Sequence, residues 1–399
     1  MINIAPNEHS VVSGSTPIIV GAGPVGAICA LAMQHHGVTP RVLEARAGAS
    51  GGGSDARRAP IGAPDARTLA LSHGSRLILE RLGVWARLGN VTPITRIHIS
   101  QRGGFGTTRL SAADEHLPAL GYVLSYGTLT TALDAELIAA GIKVEYASDV
   151  QRVEPGAVHT ATGARMNSPL IVVADGGRSE HAPAPKLARD YEQMAVVCEV
   201  QTELPHANLA YERFTPDGPA ALLPKGDAYA LVWTARTAEA ERIAALPDAA
   251  FLAALYQHFG GRQGRFLSAT PRNRFPLKLS LTGTRAEAGI VRIGNAAQTL
   301  HPVSGQGFNL GLRDAWELAA LSEDTPPELL GSAAMLSTYA RSRRVDVLGG
   351  LGFTDFLVRA FSNDIAPIRH ARGLGLLALE MCPPLKHFVA RRMIFGARG

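Results

Sequence analysis

Ile18-Ile19-Val20-Gly21-Ala22-Gly23-Pro24-Val25-Gly26 is the stretch on which the fold turns. Three β-prone apolar residues run straight into Gly-x-Gly-x-x-Gly, and Ala27 to Met33 continues as an apolar helix. Each glycine has its own job in such a turn: Gly21 makes it tight, Gly23 lets a pyrophosphate approach the backbone, and Gly26 lets helix pack on strand. The start of the helix then directs unpaired N–H groups at an anion. A second run, Pro40-Arg41-Val42-Leu43, ends at Glu44, eighteen residues after Gly26, where a ribose-binding acid belongs. Strand, glycines, helix, strand and acid in register predict an α/β fold with a Rossmann-like dinucleotide-binding domain.

The rest of the composition narrows the class. With 399 residues, 46% of them hydrophobic and 18% charged, the chain is globular and long enough for two or three domains. Cys29, Cys198 and Cys382 are far apart and form no CxxC pair, so neither a disulfide framework nor a metal site is expected, and a cytoplasmic setting follows. Residues 1–16 carry no targeting pattern, and no run approaches eighteen consecutive apolar residues. The net charge of +5 favours an acidic partner surface. Anionic lipid suits it better than nucleic acid, for which no zinc-finger, RNP or basic helix-turn-helix pattern is present.

Along the chain, Ala47 to Ala66 reads as a breaker-rich loop and Ser75 to Leu82 as a helix stopped by Gly83. Thr95 to Val123 reads as strands leaving the nucleotide domain, and Leu129 to Ala140 as a helix. Ser168 to Ala174 is a buried strand running into Asp175-Gly176-Gly177-Arg178-Ser179. Alternating runs from Tyr191 to Phe275, with one helical stretch at Ala238 to Phe259, predict a second, sheet-based domain roofing a ligand. Gly289 to Ile293 returns to the nucleotide domain, and the chain beyond Gly305 is mostly helical. The division that follows is a nucleotide domain in three parts (16–94, 124–185 and 276–325), strands at 95–123 contributed to the substrate domain, the smaller mixed-sheet substrate domain itself at 186–275, and a helical C-terminal region at 326–399.

A second block, Ile293-Gly294-Asn295-Ala296-Ala297 through His301-Pro302-Val303-Ser304-Gly305-Gln306-Gly307-Phe308-Asn309-Leu310-Gly311, ends a strand in small residues and delivers the chain to a new helix. Gly305 and Gly307 let backbone N–H groups converge on something flat or anionic, with the positive end of the helix behind them. Glycine turns after the first strand and after a distant one imply a long dinucleotide held from two sides.

These blocks, together with Asp65-Ala66-Arg67, Leu71-Ser72, Ser75-Arg76 and Leu82-Gly83-Val84-Trp85, resemble group A flavoprotein monooxygenases, the para-hydroxybenzoate hydroxylase fold. Within that class the likeness is greatest to the ubiquinone-biosynthesis hydroxylases of UbiH/UbiF/VisC type. It runs from about residue 16 to the carboxyl terminus. The broad class carries Gly-Asp where this chain has Gly294-Asn295, the subfamily form, and Tyr126 stands where relatives place Gln or Asn.

The resemblance implies FAD as cofactor and NAD(P)H as electron donor. Gly21, Gly23 and Gly26, with Pro24 between them, would hold the pyrophosphate and Glu44 the adenosine ribose. Val150 would touch the adenine through its backbone, and Arg67 would sit near the flavin or the donor, a role Arg57 or Arg58 could share. Asp175 and Gly176 would close the site where both nucleotides pass. Asn295 would face the ribityl-phosphate arm, and Gly305, Gln306, Gly307 and Asn309 would border the isoalloxazine. His301 and Pro302, with Arg67, would line the flavin site. Bland alternatives stand beside these: Asp175-Gly176 as a simple turn, Arg67 as a surface charge, and His301 as a positioning residue instead of a base.

The implied reaction is hydroxylation of the ring of a polyprenylated phenol, oxygen added at the flavin C4a carbon being passed to the substrate. Partners in view are that phenol and O2, an anionic membrane surface reached peripherally on the inner face of the cytoplasmic membrane, and a biosynthetic complex or homo-oligomer. Gly349 to Phe361 and a tail bearing Arg369, Arg372, Lys386, Arg391, Arg392 and Arg398 carry the membrane expectation. Another reaction on the same fold, such as prenyl reduction, and a non-catalytic flavin-binding subunit remain the alternatives.

Overall fold

A computed structural model describes residues 16–47, 67–177, 184–299, 305–361 and 366–397. The Gly/Ser-rich loop, Arg57, Arg58, Asp65, Ala66, Ser179, His301, Pro302 and Arg398 lie outside the described residues. The helices are α1 (Pro24–His35), α2 (His73–Arg81), α3 (Tyr126–Ala139), α4 (Thr237–Ala245), α5 (Asp248–Phe259), α6 (Gln306–Glu323), α7 (Ala333–Phe361), α8 (Ala366–Met381) and α9 (Pro383–Phe395).

Ile18–Val20 lies inside a six-stranded sheet, parallel to Arg41–Leu43 on one side and to Ile171–Val173 on the other. Ile290–Arg292 continues the parallel set beyond Ile171–Val173. The apolar run after the glycines explains this packing: every residue from Gly26 to Met33 is buried, so α1 is apolar on all sides and belongs under other elements. Helices α1, α3 and α6 cover one face, contributing Ile28, Leu129 and Leu312 to a common core. A three-stranded sheet (Val150–Glu154, Ala157–Thr160 and Arg165–Asn167) covers the other, where Val158 meets Ile18, Val20 and Leu43.

A nine-stranded mixed sheet forms the second body. Its long central strand, Pro185–Thr202, pairs with Asn273–Thr282 and Ala228–Arg236, and the sheet runs on through Gly218–Lys225 and Leu209–Thr215 to Arg96–Gln101 and Thr107–Ser111. The junction of Leu209–Thr215 with Arg96–Gln101 is parallel, which is what makes the sheet mixed. Helices α4 and α5 cover one face around Trp233 and Phe251. The helical stretch expected from Ala238 to Phe259 is thus two helices, interrupted at Leu246-Pro247 because a residue before proline is pushed out of the helical region.

Thr68–Ser72, ahead of α2, is a strand paired with Gly121–Ser125, and Ser72 then caps the helix by accepting the Ser75 N–H at 3.2 Å. Helices α8 and α9 fold back over the Arg96–Gln101 and Thr107–Ser111 hairpin. A Cβ on Gly106 would fall 2.2 Å from the Gly373 carbonyl oxygen, and one on Gly74 2.8 Å from that of Ile394. Glycine alone permits those two contacts.

Candidate active site

Three loops leave the carboxyl ends of three adjacent parallel strands, at the point where strand order reverses. They are Gly21–Gly26, Ala174–Gly177 and Gly294–Ala297. The Ala174 N–H donates to the Val20 carbonyl at 2.8 Å and the Ile293 N–H to that of Val173 at 3.0 Å, which sets the loops side by side. At Gly21, φ is +100° and a Cβ would sit 2.8 Å from the Ala174 oxygen. At Gly26 it would lie 1.9 Å from the Gly21 oxygen. Gly23 differs: its backbone is extended, and a Cβ there would meet nothing within 4 Å. It is the N-cap of α1, with no side chain capping the helix and Pro24 in the first turn. Open space over an uncapped helix start suits the pyrophosphate of a dinucleotide.

Glu44 is 5% exposed at the end of Arg41–Leu43, and its carboxylate accepts the Ala22 N–H at 2.7 Å and Arg46 Nε at 2.8 Å. Burial pushes its pKa up, but the Arg46 hydrogen bonds and charge, with the Ala22 N–H, more than offset this and hold it below the usual carboxylate range. It is therefore an anion beside the glycine turn at neutral pH, with acceptor capacity left for a ribose hydroxyl. Ser148 donates its N–H to the Glu44 carbonyl at 2.9 Å and brings the start of the Val150 strand to this end of the crevice.

Asp175 closes an Asx turn, its Oδ1 accepting the Gly177 N–H at 2.9 Å, and Gly176 has φ +76°. A Cβ on Gly177 would come within 3.2 Å of the Asn295 carbonyl, so these loops touch. The Asn295 side chain is exposed at the crevice. Arg67 and Tyr126 are joined by the pairing of Thr68–Ser72 with Gly121–Ser125: the Tyr126 N–H donates to the Arg67 carbonyl at 2.9 Å, and the guanidinium lies 3.9 Å over the phenol ring.

The amino end of α6 supplies the far wall. Gly305 is the left-handed N-cap, with φ +62°. Asn309, 2% exposed, accepts the Ser72 N–H at 2.8 Å and the Ser75 hydroxyl at 2.7 Å, and donates to the Gly305 and Ala70 carbonyls at 2.7 and 2.9 Å. Its side chain is committed to joining α6 to Thr68–Ser72. Gln306 donates to the Met393 carbonyl at 3.2 Å, which draws α9 in beside it. Gln306 and Asn309 share an apolar cavity with Ile94, Ile97, Leu110, Leu120, Met393 and Ile394. Ala70, Leu71, Ser72, Gly121 and Ala390 complete its described lining, which draws on Thr68–Ser72, the 94–121 segment, α6 and α9.

Behind the third loop is a buried ion network that the sequence did not announce. Asp314 of α6, fully buried, receives Arg343 Nε of α7 at 2.8 Å and Gln298 Nε2 at 2.7 Å. Arg343 also donates to Asp346 at 2.7 Å, as does Arg313. Charged residues at i and i+3 on one helix were the only local signal. Among the described residues no group of three or more His, Cys, Asp or Glu could hold a metal ion.

Residues 15–345 match the profile of the FAD binding domain family. The ubiquinone hydroxylase UbiL of Rhodospirillum rubrum is 33% identical over 409 residues, covering 97% of this chain and 92% of that protein. The 3-demethoxyubiquinol 3-hydroxylase of Escherichia coli is 30% identical over 392 residues, covering 92% and 95%. In fold, the chain is similar to p-nitrophenol 4-monooxygenase PnpA from Pseudomonas putida, with TM-score 0.73, 16% identity and 96% and 99% of the two chains covered. It is also similar to FAD-complexed HpxO from Klebsiella pneumoniae, at TM-score 0.72, 17% identity and 96% and 100% coverage.

Proposed function

Because the chain belongs to the FAD binding domain family, as an FAD-dependent monooxygenase of the ubiquinone-hydroxylase type, we propose that it hydroxylates the ring of a polyprenylated phenol on the ubiquinone pathway. The single observation that carries this reading is that the chain is 33% identical, over 97% of its length, to a ubiquinone hydroxylase.

The residues fit FAD. The uncapped start of α1 and the open space over Gly23 would take the pyrophosphate, Glu44 would accept from the adenosine ribose, and Asn295 would face the ribityl-phosphate arm. When bound, FAD supplies the reduction by NAD(P)H and the oxygen-atom transfer from O2. The protein's part is binding, orientation and exclusion of water. Ile94, Ile97, Leu110 and Leu120 would meet the ring with apolar side chains, while Gln306 holds α9 against them. Arg67, fixed over Tyr126, would receive the nicotinamide donor, which visits a shared groove since the sequence carries one Gly-x-Gly-x-x-Gly.

A lipid-borne substrate would enter from the α8–α9 side. Leu374, Met381, Leu385 and Phe388 are exposed there, and Arg392 is exposed over the Phe388 ring. The cationic rim is thinner than the sequence implied. Arg372 is buried, and Lys386 is half-buried and paired with Glu380 at 3.6 Å. Contact with a membrane therefore leans on apolar insertion more than on charge. No described helix is long and apolar enough to cross a membrane.

Isotope labelling tests the reaction. Under labelled O2, with NAD(P)H and a prenylphenol, the new hydroxyl should carry the label. Label drawn from water, or turnover without O2, would defeat the monooxygenase assignment and favour reduction of a prenyl chain.

A further inference from the structure

The two faces of the nine-stranded sheet differ in charge. Ile97, Leu110 and Ala210 turn toward the cavity side, so alternation sends His98, Ser100, Arg109, Tyr211 and Arg213 to the face that α4 and α5 cover. Register sets these residues side by side. Tyr211 is opposite His98 and His98 opposite Arg109 in one row, while Arg213 stands between Ser100 and Ala220 in the next. The rows are about 7 Å apart at the usual rise of a strand. Arg262, just beyond α5, reaches over the first row and donates from Nη1 to His98 Nε2 at 2.5 Å. Arg102 prolongs the ladder, its N–H donating to the Phe214 carbonyl at 2.8 Å, and adds a fourth guanidinium to Arg109, Arg213 and Arg262.

These cations lack counter-charge. Among the described residues a single carboxylate comes within ion-pair distance of the four, that of Asp217, exposed and 4.0 Å from Arg102. Glu212, next to Arg213 in sequence, turns to the opposite face. The imidazoles add no charge of their own. Burial, then Arg262, Arg109 and Arg213, push His98 down to about 4. Burial, then Arg102 and Arg213, push His258 of α5 down to about 3. Arg213 is half-buried, and its Nε has no hydrogen-bond partner among the described residues; nor has Nε2 of His258, which is 3% exposed. Converging like charges and a buried donor left unpaired both cost stability. An anion seated among them would remove both costs.

We propose that this face of the sheet carries a second binding site, across the sheet from the cavity, for the phosphoryl group of a soluble compound, gripped by Arg213 and Arg262 with Arg102 and Arg109 at its mouth. Several guanidinium forks set against one carboxylate suit a dianion with three acceptor oxygens better than a carboxylate. His98 is a positioning residue, holding Arg262 through Nε2. A free phosphate compound fits better than a lipid headgroup because the exposed apolar helices belong to the other side. Phe214, turned away from Arg213, packs there with Leu376 of α8.

The test titrates FAD-loaded full-length protein with inorganic phosphate by calorimetry at constant ionic strength. Saturable binding with a Kd of about 1 mM is expected, and Arg213→Gln and Arg262→Gln should each weaken it about tenfold. FAD content should not change, and Arg341→Gln, an exposed arginine of α7, should bind as the parent does. Phosphate should raise the Tm of the parent and not that of Arg262→Gln. Arg262 is exposed, so that variant decides the matter even if Arg213→Gln fails to fold. Saturation that survives both substitutions would put the ion elsewhere and overturn the site, as would an absence of saturation below about 10 mM. Flotation with phosphatidylcholine vesicles carrying phosphatidic acid separates the two sources of phosphate. Vesicle binding lost in Arg262→Gln, without any response to free phosphate, would overturn the soluble ligand in favour of a headgroup.

Discussion

Asn309 and Ser72 are held together by a 2.8 Å bond from the Ser72 N–H to Asn309 Oδ1, across 237 residues of sequence. The bond sets the amino end of α6 against Thr68–Ser72, so the glycine block at Gly305 and Gly307 is registered to the strand that follows Arg67. Asn309→Ala strips this junction of its acceptor and leaves the Ser72 N–H buried. Thermal or denaturant unfolding should show a loss of about 2–4 kcal/mol. FAD retention should fall with it, and full retention at unchanged stability would refute the role.

Two glycines of one turn should separate folding from cofactor binding. Gly26→Ala places a Cβ 1.9 Å from the Gly21 oxygen and should destabilise the apo protein by about 3 kcal/mol or more. Gly23→Ala meets no protein atom within 4 Å, so apo stability should hold while FAD affinity drops roughly tenfold. Calorimetry of both apo variants, followed by FAD titration, decides it.

Arg67→Ala should slow reduction of bound FAD by NAD(P)H without loss of the cofactor, and Tyr126→Leu should slow it in the same direction by releasing the guanidinium. Loss of the stack costs stability only about 0.5–1 kcal/mol. Stopped-flow reduction rates equal to the parent in both variants would remove Arg67 from the donor site.

The pH dependence of stability should carry the mark of Glu212. Its carboxyl is raised from 4.5 to about 8 in the fold, so the unfolded chain releases the proton first. Between those values the unfolded state binds fewer protons, and stability falls as pH rises through the window. Glu212→Gln removes this dependence. The Tm advantage of the variant should therefore grow from pH 5 to pH 8, and a constant difference would contradict a raised pKa.

Asp346 works in the opposite sense. Burial raises its pKa, but Arg313 and Arg343 lower it more, leaving it below the usual carboxylate range. Its contribution is present above the unfolded value of 3.8 and is lost as pH falls through the folded one. Asp346→Asn should cost about 3 kcal/mol at pH 7, since Arg313 loses its anion and Arg343 keeps only Asp314, and progressively less as the pH falls below 3.8. Thermal melts across that range read it out.

The nucleotide half was readable because its signals are local. Ile18 to Gly26 carries strand, turn and helix start within nine residues, and Ile293 to Gly311 repeats the pattern. Thr68–Ser72 was not readable as a strand because its partner, Gly121–Ser125, is some fifty residues away and only pairing reveals it. The cavity wall escaped for the same reason, Ile97 and Met393 meeting only in space. Glu212 was hidden by alternation: a strand with two covered faces does not say which of its polar residues points inward.

The bond from Gln306 to the Met393 carbonyl also bears on the order of events during synthesis. The wall on α9 is translated after the glycine block at Gly305 by an interval of roughly ten seconds at ordinary elongation rates. Until then a nascent chain that has already formed the crevice presents Ile97 and Leu110 without their α9 neighbours Ala390 and Ile394. Flavin loaded during that interval would sit beside an open, wet face, where electrons are lost to oxygen unproductively. Closure of that face therefore waits on α9, the last described helix of the chain.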